Sequence, residues 1–331
     1  MRFLIFGAGV LGSLYGARLC RAGHDVTLLA RGERAVHVRC HGIVLQDALK
    51  GTRTVTPIKV AEEIDSGDRF DAIVVLVRKN QLAGALPVLA AHTATPTIVF
   101  MVNTASGYAE LLDAVGPARV LVGFAGAGGT MHDGVVEFTV APRLLQRTTF
   151  GEPSGAITPR LRQVAQAFTN AGFPVALECD MDAWQKTHVA WVAPVAEAIY
   201  AAGGDMRRLA RTPAAIVLML RAIRESFAAL RALGVPITPT KLGALAHISE
   251  PVALRLLPPM LGSRRAEIIL GRHANAARDE MAQLDRELRS LAGRTAVATP
   301  HLDALARYID ESVTPLAVGT RQTLTGTPRV A

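Results

Sequence analysis

The chain has 331 residues, half of them hydrophobic, with a mean hydropathy of +0.27, which is enough for two packed domains. Lysine and arginine number 36 against 28 acidic residues, a formal charge of +8, but the cations are scattered and aromatics make up only 5%, which argues against a nucleic-acid surface. Three cysteines without a CxxC pair argue for a reducing compartment, the cytoplasm, and against a structural metal, and apolar runs broken by glycine or charge argue against a membrane span.

In chain order, the first element expected is a strand, MRFLIF, running straight into GAGVLG and then a helix through Leu19. Strand, glycine turn and helix in that order are the context that a dinucleotide fingerprint requires. Gly7 permits the tight turn and Gly9 lets the backbone approach a pyrophosphate, while Gly12 allows close packing of helix on strand. Val10 and Leu11 lie between them, where the helix start offers unpaired N–H groups to the phosphates. A secretory signal is the rival reading of Arg2 and the apolar run. It fits poorly, because glycines interrupt the run and Arg18, Arg21 and His24 follow quickly.

The second strand, Asp25 to Ala30, ends at Arg31, where an NAD site would carry an acidic residue. An arginine there suits a 2′-phosphate, so NADP is the expected cofactor, with Arg34 as a helper. Two solvated loop arginines are the alternative.

Short β pieces at Gly42 to Gln46 and Arg53 to Val60 read as an excursion before the sheet resumes at Asp71 to Val77, which is apolar on both faces. A helix is expected over Gln81 to Ala91, a strand over Thr97 to Val102, a helix over Ala105 to Val115 and a strand over Val120 to Phe124. Looser β structure follows, with a hairpin at Asp133-Gly134. The alternation predicts an α/β domain over residues 1–178, a Rossmann-type doubly wound parallel sheet that binds NADP.

Residues 179–331 change texture and read as an all-helical domain. One apolar stripe is Trp184, His188, Trp191, Val195 and Ile199; another is Met281, Leu284, Leu288 and Leu291. Breaks are expected at Gly203-Gly204, Gly234-Val235-Pro236, Pro258-Pro259 and Thr299-Pro300. The stretch from about Val318 is expected to fray.

Ligands of open α/β sheets sit outside the carboxyl ends of the strands. Those ends carry the glycine turn, Arg78 with Lys79-Asn80-Gln81, and Asn103. Asn103 suits a nicotinamide or a substrate, although asparagine also favours ordinary turns. Lys186, Ala190, Ala193 and Glu197 share a helix face of mostly small side chains, which we expect to be roomy. Lys186 there suits proton donation; taken by itself, a surface lysine is the better reading. Glu280 begins an amphipathic helix, where it suits the helix dipole as well as a site.

These stretches together resemble the ketopantoate reductase (2-dehydropantoate 2-reductase) family. The shared segments are GAGVLGSLYG, LLARG, LVRKNQ, VNTASG, DGVV, DAWQK, ARDEM and VATPHLDAL, in order along nearly the whole chain. The resemblance implies an N-terminal Rossmann domain, a C-terminal helical domain and NADPH-dependent reduction of a 2-oxo acid to a 2-hydroxy acid, a step of pantothenate biosynthesis in that family. It implies that Lys186 is the general acid, that Glu280 accepts a hydrogen bond from a substrate hydroxyl, that Asn103 lies near nicotinamide and substrate, and that Arg31 holds the adenosine phosphate. An ammonium beside the developing alkoxide stabilises it electrostatically.

The departures are equally specific. Arg78 stands where the family has lysine, and Thr104 follows Asn103 where it has glycine. Two family asparagines become Ala190 and Ala193 or Pro194, and Pro194 frees the Ala190 carbonyl from its helical bond. No serine stands at the family's spacing before Glu280, Ser263 being too distant. The expectation is therefore a reductase with ketopantoate as its first candidate substrate. The alternatives are a reductase of another 2-oxo acid or carbonyl, a non-catalytic NADP-binding sensor, and an opine-type or 3-hydroxyacid dehydrogenase. A homodimer is the one protein assembly that this reading admits.

Overall fold

The computed structural model describes residues 1–65 and 67–321, and these form two compact units. The first holds Met1–Asn103 and Gly107–Asp182; the second holds Thr104–Ser106 and the chain from Ala183 onward.

The first unit begins with β1 (Arg2–Phe6), α1 (Val10–Arg21), β2 (Asp25–Leu29) and α2 (Gly32–His41). It continues through β3 (Ile43–Asp47), β4 (Arg53–Thr56), β5 (Lys59–Ala61), β6 (Ala72–Val75) and α3 (Leu82–Ala91). Then come β7 (Ile98–Phe100), α4 (Ala109–Val115), β8 (Val120–Phe124), β9 (Ala127–His132) and β10 (Val135–Val140). It closes with β11 (Thr148–Gly151), α5 (Pro159–Asn170) and β12 (Val175–Leu177).

Eight strands form one sheet in the order β12-β11-β8-β7-β6-β1-β2-β5. From β8 to β5 every pairing is parallel, while β11 runs antiparallel to β8. The central strands are buried along nearly their whole length, as a sheet covered on both faces requires. That is why they read as unbroken apolar runs.

The excursion after β2 has a definite destination. β3 and β4 join β9 and β10 in a second sheet, ordered β4-β3-β10-β9, and β5 returns to the large sheet beside β2. The segment read as one β piece from Arg53 to Val60 is thus two strands in different sheets. The Asp133-Gly134 hairpin forms, both residues at positive φ (47° and 76°), as a two-residue turn of this kind demands.

Helix α1 packs on β2 and also on β3, β9 and β10. A side chain that both sheets surround must satisfy its own polar groups. Tyr15, fully buried, does so by pairing its hydroxyl with Thr148 Oγ1 at 2.9 Å, and burial holds its phenol above the ordinary range.

The second unit is helical. Its core joins α6 (Met181–Ala201), α7 (Met206–Ala210), α8 (Pro213–Ala232), α9 (Thr240–Leu245) and α10 (Glu250–Leu261). After these come α11 (Arg264–Ala266), a π-helical turn (Glu267–Gly271), α12 (Arg272–Ala276), α13 (Arg278–Ala292) and α14 (Pro300–Ala306). Met281, Leu284, Leu288 and Leu291 are buried along α13, as their spacing predicts. Gly203, Gly204 and Gly234 take positive φ just past helix ends, and Pro300 opens α14.

Three expectations need correction. Pro258-Pro259 does not break a helix but sits in the last turn of α10, where the prolines remove the N–H groups that would otherwise bond the Leu254 and Arg255 carbonyls about two turns before the helix end. Residues 105–108 are not helical: Gly107 is at φ +81°, and α4 starts only at Ala109. The small face of α6 is not roomy. Ala190, Ala193 and Glu197 are at most 1% exposed and packed, while His188 and Trp191 of the bulky stripe are only half-buried.

The fraying expected from Val318 falls mostly outside the described residues. Up to Thr320 the chain is held, Gly319 N–H donating to Arg211 O and Ala214 N–H to Thr320 O. Replacing Tyr15→Phe leaves the two ring-packing faces intact and removes one of the two hydrogen bonds at Thr148 Oγ1, that from Gly126 N–H (3.2 Å) remaining, and is expected to cost about 1 kcal/mol in denaturant unfolding.

Candidate functional site

At the carboxyl end of β1 the chain turns through Gly7 at φ +121°, and a Cβ there would lie 2.7 Å from the Leu76 carbonyl. Gly12 is tighter still: its Cβ would stand 1.7 Å from the Gly7 carbonyl oxygen. Gly9 differs. Its Cβ would meet nothing within 4 Å, so no packing inside the protein demands a glycine there. Gly7 and Gly12 let the turn close, and Gly9 leaves its outer side bare. Gly9 is the N-cap of α1, and neither a capping side chain nor an acidic residue answers the first N–H groups, among them those of Val10 and Leu11. A bare turn leading into an uncapped helix start fits a nucleotide diphosphate.

The sheet order sets what surrounds that turn. β1 is flanked by β2 and β6, with β7 beyond β6, so Arg31, Arg78 and Asn103 all follow strands that end on the same edge. Arg31 is exposed at the N-cap of α2, its Nε donating to the Glu62 carbonyl at 3.2 Å just past β5. Arg78 and Asn103 are half-buried.

Arg34, read from sequence as a helper for a phosphate, is engaged elsewhere. Its guanidinium donates to Ala8 O (3.2 Å), Gly134 O (3.3 Å) and Ser13 Oγ (2.8 Å). It therefore braces the glycine turn against the start of α1 and the β9–β10 hairpin, and its desolvation holds its pKa below the usual arginine range. Lys79 is a second cation whose role the sequence did not reveal. It is buried and paired with Glu110, so Arg78 alone stands where the resembled family has its lysine. Nothing local signals that pair, because its partners are 31 positions apart.

In the helical unit, Lys186 is half-buried in the second turn of α6, and Glu280 is 6% exposed in the first turn of α13. His188 is the other nearby candidate for proton donation on α6. It stacks on Trp184 with ring centroids 5.5 Å apart and planes 3° from parallel. Burial first, and His273 second, push its pKa down to about 3. The imidazole is therefore neutral near pH 7.

Glu287, about two turns beyond Glu280 on α13, was not singled out from sequence. Its Oε2 accepts from Ala105 N–H (2.8 Å), Ser106 N–H (3.1 Å) and Thr104 Oγ1 (3.1 Å), and its Oε1 from Gln283 (3.2 Å). This carboxylate holds the segment that directly follows Asn103.

A largely parallel Rossmann-type sheet that opens on a glycine turn, in one chain with an all-helical unit, defines a two-part α/β protein. Residues 3–155 match the family described as Ketopantoate reductase PanE/ApbA. It is similar to a 2-dehydropantoate 2-reductase of Mesorhizobium japonicum, 26% identical over 215 residues, which cover 56% of this chain and 63% of that relative. The matched stretches span 61%, 63% and 56% of the lengths of three curated relatives. Among solved structures it resembles the 2-dehydropantoate 2-reductase of Geobacter metallireducens GS-15, with a TM-score of 0.77 at 18% identity, covering 95% of this chain and all of that one. It also resembles a D-mandelate dehydrogenase held in a ternary structure with NADH and anilino(oxo)acetate, with a TM-score of 0.70 at 16% identity, covering 93% of this chain and 97% of that one. Among the described residues no helix is long and apolar enough to cross a membrane.

The two tight glycines separate by experiment from the open one. Gly12→Ala drives a methyl into the Gly7 carbonyl and is expected to cost about 3 kcal/mol or more in thermal unfolding. Gly9→Ala is expected to cost no more than about 1 kcal/mol while weakening dinucleotide binding in a fluorescence titration.

Proposed function

We propose that the chain is an NADPH-dependent reductase of a 2-oxo acid, with ketopantoate, reduced to pantoate, as the first candidate substrate. What supports this reading most is the glycine turn. It is bare on its outer side at Gly9 and closed by backbone contact on its inner side, in a chain whose helical unit carries a half-buried lysine and a buried glutamate where the family has its own.

Gly7, Gly9, Val10, Leu11 and Gly12 hold the diphosphate at the start of α1, and Arg31, exposed at the end of β2, pairs with the 2′-phosphate. Arg78 and Asn103 line the same strand edge. The bound cofactor supplies hydride to the carbonyl carbon. Lys186 delivers a proton to the carbonyl oxygen as negative charge gathers there, and regains one from solvent afterwards. Glu280 accepts a hydrogen bond from a substrate hydroxyl, which orients the carbonyl.

A second reading, reduction of a different 2-oxo acid, is favoured by one observation. Ala190 and Ala193 are fully buried, so α6 offers no amide side chain where the family has asparagines. Sites that lose a polar partner discriminate against the substrate that needed it. A panel of 2-oxo acids followed by NADPH absorbance separates the two substrates, and silence across the panel would favour a non-catalytic NADP-binding protein.

Lys186→Ala is expected to keep NADPH binding and lower kcat by roughly 10²–10⁴-fold; turnover close to wild type would remove the lysine from the mechanism. Arg31→Ala is expected to raise the NADPH dissociation constant roughly tenfold or more and to leave that of NADH nearly unchanged. Equal effects on the two nucleotides in parallel titrations would refute the phosphate contact.

A further inference from the structure

Glu197 of α6 lies about three helical turns beyond Lys186, on the same face, and Asp285 of α13 lies in the turn after Glu280. Both are buried, at 1% and 6% exposure, and their carboxyl groups face one another. Among the described residues, neither Glu197 oxygen nor Asp285 Oδ1 has a hydrogen-bond partner. Asp285 Oδ2 stands 3.8 Å from Arg289 Nε, and that arginine also pairs with Asp303 at 2.7 Å. Two ionised carboxylates in such a place would repel each other with no donor between them, which the packed alanine core around them could not sustain. One proton removes the conflict, because a carboxylic acid donates to a carboxylate in a short, charge-assisted bond.

We infer that Glu197 and Asp285 hold a single proton between them, and that this bond makes them positioning residues that fix α6, with Lys186, against α13, with Glu280. The catalytic half of that statement rests on the function proposed above; the shared proton does not. The charges acting on the pair are Arg289 and Arg286 of α13 and Asp303 of α14, and Tyr200 of α6 feels the Glu197 charge. Arg289 lies beside Asp285, so Asp285 is the partner that ionises first and Glu197 the one that keeps the proton.

The sign of the pH dependence follows. Burial raises both carboxyls, Asp285 to about 6 and Glu197 well above the ordinary carboxylate range, so the folded chain binds protons that the unfolded chain, titrating near 4, has released. The stabilisation is complete below about pH 4 and declines as the pH rises through about 6 and beyond, where the last shared proton leaves and the two helices repel.

The test uses the full chain. Infrared spectra in D₂O at neutral pH are expected to show a protonated-carboxyl stretching band in wild type that disappears in Glu197→Gln. Between pH 6 and 8 the wild-type Tm is expected to fall by roughly 3–5 °C per pH unit relative to Glu197→Gln, whose amide donates to Asp285 without titrating. The wild-type rise in KM across that range is expected to flatten in the same variant. Asp285→Asn, whose amide donates to Glu197, is expected to flatten the Tm slope likewise, and it decides the matter if Glu197→Gln does not fold. Absence of the carboxyl band in wild type, or Tm slopes parallel between wild type and a folded amide variant, would overturn the shared proton. A flat KM beside a changed Tm slope would overturn the positioning role. If no 2-oxo acid is turned over, the reductase reading fails, while the band and the Tm slopes still judge the pair.

Discussion

The contact between main chain and main chain at the end of β1 governs the first unit. Gly12 approaches the Gly7 carbonyl so closely that a single methyl would drive helix and strand apart. That approach sets where α1 begins, and therefore where its uncapped N–H groups lie and which side of Gly9 stays bare. The β1–β2 and β1–β6 registers then bring the other strand ends to the same edge. The unanswered peptide groups here are a by-product of closing the turn, since they are the ones that the helix cannot satisfy itself, and such groups suit an anion.

In the first unit, positive charge is divided between cations held by the fold and cations left to solvent. Arg34 braces the Ala8 carbonyl, the Gly134 carbonyl and the Ser13 hydroxyl, and Lys79 is held by Glu110, whereas Arg31 stays exposed. A basic chain therefore does not present all its cations to a partner. Those that are desolvated must be matched by acceptors within the fold, and only the solvated ones are left to meet a ligand.

The helical unit solves a different problem. An alanine-rich core packs helices closely but gives few directional contacts, so a few buried carboxyl groups supply them. Glu287 gathers donors from Thr104, Ala105 and Ser106, and Glu197 meets Asp285 across two helices. Polar pairs of this kind add little net stability. Their value lies in penalising every arrangement that would leave them unmatched.

The sequence alone determined what depends on neighbours a few positions apart. The period of the apolar residues, the glycine spacing from Gly7 to Gly12, the Asp133-Gly134 turn and the α13 stripe all follow from backbone stereochemistry and side-chain periodicity, and each is visible within a short window. Tertiary structure decided the rest. It sorted β3 and β4 into a second sheet, committed Arg34 to the turn and Lys79 to Glu110, buried the face of α6 that small residues suggested was open, and brought Glu197 to Asp285. The one signal for that last pair was a lone carboxyl in the apolar run from Ala193 to Ala202. The physical reason is that burial and partner choice are set by chain segments tens to more than a hundred positions away, and no local pattern encodes what a side chain will meet when they arrive.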